Sequence, residues 1–348
     1  MMLFPQLQFT RRFTAFSDIA LGITLRAARV CAPVWFEVKT IFFLCSAAQF
    51  APPSVPFPDP PTDTRAERRR LSTRIEKAAA HDQPINHRKN ETKEQQIMQM
   101  TGNTILITGG TSGIGRALAE AFHDRGNRVI ITGRSLAVLE EIRAGRPGLV
   151  GMPLDLGAPN SLAQLERDVR TRFPELNVLV ANAGISRPED MTAENWDVST
   201  AQSIVETNIM GVMRTTAAFL PILKNRPGAT IMATSSALAF VPRADFPTYC
   251  ASKAFLHSWL TSLRHQLRKV PVEVLELSPP YVQTKLTGAH QITDPRAMPL
   301  DAYLAEVMQL LERGDHPRGE VLLERDQARR WAERDGRYEE IFAAMNLA

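Results

Sequence analysis

From Thr104 onward, short apolar runs rich in β-branched residues alternate with longer stretches of helical periodicity. Strands are predicted at Thr104–Thr108, Val129–Thr132, Leu149–Leu154, Val178–Ala181, Thr230–Thr234 and Val272–Leu277. Helices are predicted at Ile114–Arg125, Leu136–Arg143, Ser161–Arg172, Ser199–Leu223 and Thr248–Lys269. Such alternation requires parallel crossovers that cover both faces of a sheet, and ligands then bind beyond the carboxyl ends of its strands. We therefore predict an α/β protein with a doubly wound parallel sheet, in a single domain over residues 98–348.

The first 97 residues differ from the rest of the chain in charge. They hold 14 Lys and Arg against 9 Asp and Glu, whereas residues 98–348 hold 27 against 28. The net charge of +4 therefore comes from the leading segment. Because nucleic-acid binding needs a concentrated basic surface, the nearly neutral body argues against a nucleic-acid partner.

The leading segment has no pattern typical of a stable membrane span or a packed core. Its apolar stretch Ile41–Ala48 is far shorter than the roughly 20 residues that a membrane-spanning helix needs. The six prolines of Ala51–Thr62 indicate an extended linker. We expect residues 1–97 to be a disordered or spurious N-terminal extension, with Met98 or Met100 as the true start. A targeting or tethering arm is the alternative.

Cysteine and histidine usage points to a reducing compartment and away from a metal site. Of three cysteines only Cys250 lies in the body, where it cannot form an internal disulfide, and this fits the cytoplasm. No cluster of cysteines and histidines has metal-ligand spacing, so we expect no metal. His257 and His265 fall within a helical run, where packing is favoured over a catalytic role.

A glycine-rich loop joins the first predicted strand to the first helix, in the sequence Thr108-Gly-Gly-Thr-Ser-Gly-Ile-Gly115. Glycines permit a tight turn and let phosphates approach the N–H groups at the positive end of a helix. A glycine cluster alone is more often a turn, and this spacing is not the common GxGxxG. Its position between strand and helix favours dinucleotide binding and a Rossmann-type fold.

The glycine spacing resembles that of the short-chain dehydrogenase/reductases. The resemblance runs from about Met98 to the C-terminus and is closest to the DltE-like branch, in the stretches Thr101–Gly110 and Pro247–Lys253. It implies an NAD(P)-dependent oxidoreductase acting on the CH–OH or C=O group of a small molecule. It also implies assembly through two long helices, so a homodimer or homotetramer is expected.

The end of the second strand, Thr132-Gly-Arg134-Ser135, bears on the choice of cofactor. An acidic residue there would bind the 2′-hydroxyl of the adenine ribose and repel a 2′-phosphate. A guanidinium instead suits a phosphate, although an exposed arginine in a turn is the alternative. The sequence therefore favours NADP, with NAD still possible.

The resemblance implies further cofactor contacts along the chain. Asp155 is expected to meet the adenine, and Asn182–Gly184 to line the cofactor, with Ala181 replacing an asparagine that is common in the family. The complete expected set is Thr108, Gly109, Thr111, Ser112, Gly113, Ile114, Gly115, Arg134, Asp155, Asn182, Ala183, Gly184, Tyr249, Lys253, Pro279, Val282 and Thr284.

Tyr249 and Lys253 are four residues apart, so their side chains share one face of a helix. A tyrosine with a pKa of about 10 is a poor base at neutral pH, and a nearby ammonium lowers that pKa. Alone, the pattern is common and is usually explained by surface packing. Its occurrence together with the phosphate loop predicts a proton donor and acceptor.

In the resembled family, a serine 13 residues before the tyrosine holds the substrate oxygen. That selects Ser236, with Ser235 as the less favoured neighbour. Asn208 matches the asparagine that holds a water behind the lysine, and its alternative is an asparagine satisfied by its own helix. The catalytic group is thus predicted as Asn208, Ser236, Tyr249 and Lys253.

After the sixth strand, Ser278–Thr284 resembles the family segment beside the nicotinamide, with Pro280 in place of the usual glycine. Thr284 is the expected contact of the carboxamide. Residues 285–299 are expected to form a mobile lid over the substrate, with no pattern that specifies a ligand.

The favoured function is reversible carbonyl reduction with NADP(H). A regulatory protein that binds the cofactor without turnover is one alternative, and the complete catalytic group argues against it. A lyase or epimerase is the second alternative, and the short stretch after Thr284 argues against it.

Overall fold

Parallel strands form one sheet between two hydrophobic cores of the described residues. The structure is a computed structural model that describes residues 98–158, 160–314, 316 and 318–347. Its strands are β1 (Thr104–Ile107), β2 (Arg128–Gly133), β3 (Val150–Pro153), β4 (Val178–Ala181), β5 (Ala229–Thr234), β6 (Val272–Leu277) and β7 (Glu320–Val321). They lie in the order β3-β2-β1-β4-β5-β6-β7, with each neighbouring pair parallel. The order reverses between β1 and β4, which makes this edge the expected ligand crevice.

Helices cover both faces of the sheet. In chain order the α-helices are α1 (Gly113–Asp124), α2 (Leu136–Gly145), α3 (Ser161–Arg172), α4 (Ser199–Ile204), α5 (Gly211–Leu223), α6 (Pro247–Gln266), α7 (Leu300–Arg313), α8 (Gln327–Arg330) and α9 (Tyr338–Met345). Alternate strand residues enter opposite cores, as a period of two requires. Ile105 and Ile107 pack with Phe122 of α1, whereas Leu106 packs on the other side with Phe219 of α5 and Leu260 of α6.

The predicted doubly wound α/β sheet is confirmed, with six strands within two residues of their expected bounds. Helix α7 and strand β7 were not predicted, although the spacing of Tyr303, Val307 and Leu311 is helical and these side chains are buried. The expectations for residues 1–97 lie outside the described residues. Among the described helices, none is both long and apolar enough to cross a membrane.

The predicted helix Ser199–Leu223 is not uniform. A π-helical turn, Val205–Met210, separates α4 from α5. Such turns insert one extra residue into a helix and re-aim the side chains around it. The side chain that is re-aimed here is that of Asn208.

The side chains of Asn103, Asn127 and Asn177 form hydrogen bonds at the amino ends of the central strands, at the edge opposite the ligand crevice. Asn127 accepts the Asn103 N–H at 3.0 Å and donates to the carbonyls of Met100 and Phe122, both at 2.8 Å. Asn177 accepts the Thr104 N–H at 2.9 Å. These amides satisfy backbone groups that would otherwise be buried without partners.

Replacing Asn127 with Ala is expected to lower the free energy of unfolding by about 2–4 kcal/mol, because each buried unpaired group costs about 1–3 kcal/mol. Chemical denaturation of the full chain measures the loss. The matched control is Asn225→Ala, since the Asn225 amide is exposed and bonds only the Pro221 carbonyl among the described residues. Equal losses in the two variants would contradict the role assigned to Asn127.

Candidate active site

The loops after β1 and β4 are joined at the point where the strand order reverses. The Thr108 hydroxyl accepts the N–H groups of Asn182 at 3.0 Å and Ala183 at 3.1 Å. The Asn182 amide donates back to the Thr108 carbonyl at 3.2 Å. Thr108 therefore acts as a structural clamp beneath the crevice, since it fixes one loop against the other.

The glycines of the phosphate loop are required by close contacts. Gly109 has φ +67° and Gly113 has φ +53°, in the region that favours glycine. A Cβ on Gly109 would lie 2.8 Å from the Ala183 Cα. Ser112 precedes α1 in extended conformation without a side-chain cap, and the first turn has no acidic residue. The N–H groups at this helix start are thus suited to an anion such as a pyrophosphate.

Two predicted cofactor contacts lie at the ends of β2 and β3. Arg134 is exposed in the turn after β2 and has no ion pair among the described residues. Next to it, the Ser135 hydroxyl caps α2 by accepting the Val138 N–H at 3.3 Å. Asp155 folds the turn after β3, because its carboxylate accepts the Gly157 N–H at 3.0 Å. Both Arg134 and Asp155 line the same crevice.

Tyr249 and Lys253 lie on successive turns of α6, and both side chains are buried. The Lys253 ammonium lies 5.5 Å from the centroid of the Tyr249 ring and donates to the Thr234 carbonyl at 2.7 Å. The phenol also lies close enough to the Ser236 hydroxyl for this serine to lower its pKa. Three of the four predicted catalytic side chains thus meet at the carboxyl end of β5.

The two adjacent serines have different surroundings. The Ser236 hydroxyl accepts the Leu238 N–H at 3.1 Å and interacts with the phenol of Tyr249. The Ser235 hydroxyl instead donates to the buried carboxylate of Glu276 at 2.5 Å. Ser236 is therefore the serine that faces Tyr249, whereas Ser235 faces Glu276, and the substrate role of Ser236 stays a prediction.

Asn208 lies behind this group and is fully buried. Its side chain accepts the Ile185 N–H at 2.9 Å and donates to the Ile185 carbonyl at 3.0 Å and to the Ser252 hydroxyl at 3.1 Å. The alternative that its own helix satisfies the amide is therefore wrong. The π-helical turn directs this amide toward the loop after β4 and toward α6.

Burial dominates the electrostatics of the catalytic pair. It raises the pKa of Tyr249, against the opposing effect of Ser236, so the lowering expected from the nearby ammonium is not found. It lowers the pKa of Lys253 to about 8, against the opposing effect of the Glu276 carboxylate. At neutral pH the protein groups therefore hold a neutral phenol beside an ammonium, which is the protonation state that can donate a proton to a carbonyl oxygen.

The segment after β6 closes the crevice over the phosphate loop. The Pro279 carbonyl accepts the Ala237 N–H at 2.9 Å, and Val282 forms a bridge with Met298. A Cβ placed on Gly113 would lie 3.3 Å from the Thr284 methyl group, so this segment reaches the start of α1.

Residues 285–299, the expected lid, fold back on themselves. The buried Gln291 amide donates to the Val282 carbonyl at 2.7 Å and accepts the Thr287 N–H at 2.8 Å. The Tyr281 hydroxyl donates to Asp294 at 3.2 Å. The loop is therefore tied at its base, and its motion stays a prediction.

These elements enclose one crevice of about 500 Å³. Every predicted cofactor-binding residue except Thr108 lines it, and Ser236 lines it as well. Sequence reasoning missed the lining residues that follow known motifs by one to three positions. They are Leu156, Gly157, Ile185, Ser186 and Arg187, joined by Thr207, whereas Lys285, Leu286 and Gln291 belong to the expected lid. Among the described residues, no group of three or more His, Cys, Asp or Glu could hold a metal ion.

Comparison with known proteins agrees with this geometry. The profile of the short chain dehydrogenase family matches residues 103–294. The chain belongs to the short-chain dehydrogenase family. It is 37% identical over 252 residues to the uncharacterised oxidoreductase DltE of Bacillus subtilis, covering 72% of this chain and 98% of that protein. The predicted DltE-like branch is therefore confirmed, and with it an oxidoreductase of this NAD(P)-dependent family.

Solved structures show the same fold. A short chain dehydrogenase from Burkholderia cenocepacia in complex with NADP has TM-score 0.60 and 25% identity, covering 72% of this chain and 100% of that one. A 3-ketoacyl-(acyl-carrier-protein) reductase from Brucella melitensis complexed with NADH has TM-score 0.55 and 24% identity, covering 65% and 95%.

Replacing Gly115 with Ala is expected to weaken NADPH binding more than tenfold, because the added Cβ would overlap the Asn182 amide and the Gly109 carbonyl. Fluorescence titration with NADPH measures the change. The control is Gly145→Ala at the end of α2, where a Cβ meets no atom within 4 Å. Similar affinities for both variants would show that the glycine contacts do not shape the cofactor site.

Proposed function

We propose that this short-chain dehydrogenase interconverts a carbonyl and an alcohol by hydride transfer with NADP(H), using Tyr249 and Lys253 for proton transfer. The observation that carries the proposal is the meeting of Tyr249, Lys253 and Ser236 at the wall of a crevice that begins at the phosphate loop. A phosphate site and a proton donor in one crevice are what reduction by a dinucleotide requires.

The residues fit a nicotinamide dinucleotide. Gly109–Gly115 would hold the pyrophosphate, Asp155 would meet the adenine, and Asn182–Gly184 with Thr284 would line the nicotinamide half. The close approach of Gly109 to Ala183 leaves backbone rather than side chains at the crevice floor. When bound, the nicotinamide supplies or accepts the hydride.

Arg134 supports a preference for NADP. It is exposed, lines the crevice and has no carboxylate partner among the described residues, so its guanidinium is available to a 2′-phosphate. The acidic side chain that would favour NAD is absent from the end of β2. The fold neighbours include complexes with NADP and with NADH, so the preference rests on Arg134.

In the reduction direction, Tyr249 donates its phenolic proton to the carbonyl oxygen as hydride reaches the carbon. Ser236 holds that oxygen and stabilises the charge that develops on it. Lys253 favours the resulting phenolate by its positive charge, and Asn208 holds the loop at Ile185 and the turn at Ser252 in register. In the oxidation direction each proton step reverses.

A cofactor-binding regulator without turnover is the weaker proposal. Such a protein has no need for a buried ammonium beside a buried phenol, since burying an ammonium is costly. Assembly into a homo-oligomer stays a prediction for light scattering to test.

Replacing Arg134 with Ala is expected to raise the Kd for NADPH by roughly 10- to 100-fold, since charged hydrogen bonds contribute about 1.5–3 kcal/mol. The Kd for NADH is expected to stay the same, because NADH lacks the 2′-phosphate. Fluorescence titration of both cofactors measures this. The control is Arg143→Ala, an exposed arginine of α2 that pairs with Glu140. Tighter binding of NADH than NADPH by the unaltered chain would overturn the proposed preference.

Replacing Tyr249 with Phe is expected to lower kcat for carbonyl reduction by roughly 10²- to 10⁴-fold, since the general acid is removed while the ring remains. The rate of NADPH oxidation with a panel of aldehydes and ketones measures the loss, and NADPH titration verifies that binding persists. Tyr338→Phe is the control, because Tyr338 lies in α9 and does not line the crevice. Turnover near that of the unaltered chain would contradict the proposed proton donor.

A further inference from the structure

A buried carboxylate lies behind the catalytic group, and the reaction described above does not use it. Glu276 of β6 is 0% exposed. One carboxylate oxygen accepts the Ser235 hydroxyl at 2.5 Å and lies 3.3 Å from the Ser278 hydroxyl. The other lies 2.9 Å from Nδ1 of His257. Because a carboxylate only accepts, Nδ1 of His257 carries the proton in this contact.

Glu276 is connected to the catalytic group through the end of β5. Ser235 stands between Thr234, whose carbonyl accepts the Lys253 ammonium at 2.7 Å, and Ser236, whose hydroxyl meets Tyr249. The Ser235 N–H also bonds the Leu277 carbonyl at 2.7 Å. Holding the Ser235 side chain therefore fixes the backbone on either side of it.

His257 belongs to the same face of α6 as Tyr249 and Lys253, one turn after the lysine. Its ring packs edge-on against Phe240, with centroids 5.1 Å apart, and its side chain is 23% exposed. It therefore covers the carboxylate on its solvent side, a role that the packing interpretation of His257 did not include.

Charged side chains of α6, β7 and α8 surround the Glu276–His257 pair. Helix α6 contributes Lys253 and Arg264, and β7 contributes Glu320, the cross-strand neighbour of Glu276. Arg318 and Arg330 approach Glu320 from its outer side.

The two neighbouring carboxylates differ in their partners. Glu320 is paired with two of the guanidinium nitrogens of Arg330, Nε at 2.8 Å and Nη2 at 2.9 Å. Among the described residues, Glu276 has no ion pair with a lysine or arginine within 4 Å, and its partners are two hydroxyls and one imidazole. Its carboxylate holds Ser235, the neighbour of the Thr234 carbonyl that binds the Lys253 ammonium, and its negative charge opposes the effect of burial on Lys253.

We propose that Glu276 is a positioning residue that holds the Thr234–Ser236 strand end in place and keeps Lys253 in its ammonium form, with His257 stabilising the ionised carboxylate. This inference rests on the proposed roles of Tyr249 and Lys253. It predicts that neutralising Glu276 changes the pH dependence of the site more than its affinity for cofactor.

The direct test is the titration of Lys253 in the full chain, labelled with ¹³C at the lysine side chains and observed by NMR. The chain has eight lysines, and Lys253→Arg assigns the relevant signal. Glu276→Gln keeps the shape of the side chain and removes its charge. The expected result is that Lys253 loses its proton about one pH unit lower, the size of shift that a nearby opposite charge produces.

The matched control is Glu273→Gln, which makes the same substitution on the same strand but on the opposite face of the sheet, where Glu273 bonds His316. It is expected to leave the Lys253 titration unchanged. An unchanged titration in Glu276→Gln as well would overturn the proposal. This measurement needs no turnover, so it separates failure of this inference from failure of the proposed reaction.

The lower pKa of Lys253 expected in Glu276→Gln also predicts a change in the pH dependence of kcat. Carbonyl reduction is lost as pH rises and the ammonium deprotonates, so the basic limb of kcat should move to lower pH in Glu276→Gln, with the Kd for NADPH changed less than about threefold. Where Glu276→Gln does not fold, Ser235→Ala provides the test. This substitution keeps the charge of Glu276 and removes only its hydrogen bond from the Ser235 hydroxyl. A several-fold fall in kcat is expected. An unchanged kcat in Ser235→Ala would overturn the positioning role.

Discussion

The hydrogen bonds between Thr108 and the Asn182–Ala183 backbone are the contact on which the rest of the site depends. They join the carboxyl ends of β1 and β4, where the strand order reverses, and so fix the width of the crevice. Because these hydrogen bonds bring the two loops close together, the phosphate loop lies against the Asn182–Ala183 segment. Only glycine permits so close an approach at Gly109 and Gly115. The start of α1, which we propose for the pyrophosphate, and the loop after β4, which we propose for the nicotinamide half, are thereby held at a fixed distance from each other.

Helix α6 and the end of strand β5 carry the side chains that we propose for proton transfer. Burial drives the two reacting groups in opposite ways, since it favours the neutral phenol of Tyr249 and disfavours the ammonium of Lys253. The negative charge of the Glu276 carboxylate, which is buried behind the pair, opposes the effect of burial on Lys253. In the proposed mechanism the pair therefore depends on a residue that we place in contact with neither substrate nor cofactor.

The motif residues of the candidate site could be named from the sequence because each one meets a local structural requirement. The phosphate loop needs glycine, and a helix places Tyr249 and Lys253 on one face through their four-residue spacing. The order of strands and helices predicted where these motifs would meet. Pro280 departs from the glycine usual in the family, and on either side of it the Pro279 carbonyl accepts the Ala237 N–H and the Val282 carbonyl accepts the Gln291 amide.

The sequence by itself determined the sheet, the phosphate loop and the tyrosine–lysine pair, because periodicity and spacing are local properties of the chain. Tertiary structure alone decided the partners of Asn208 and the place of Glu276. Those depend on contacts between residues 19 to 44 positions apart, as in the bond from Asn208 to Ser252 and that from His257 to Glu276. No spacing rule encodes such contacts, since they arise only when β5, β6 and α6 pack together.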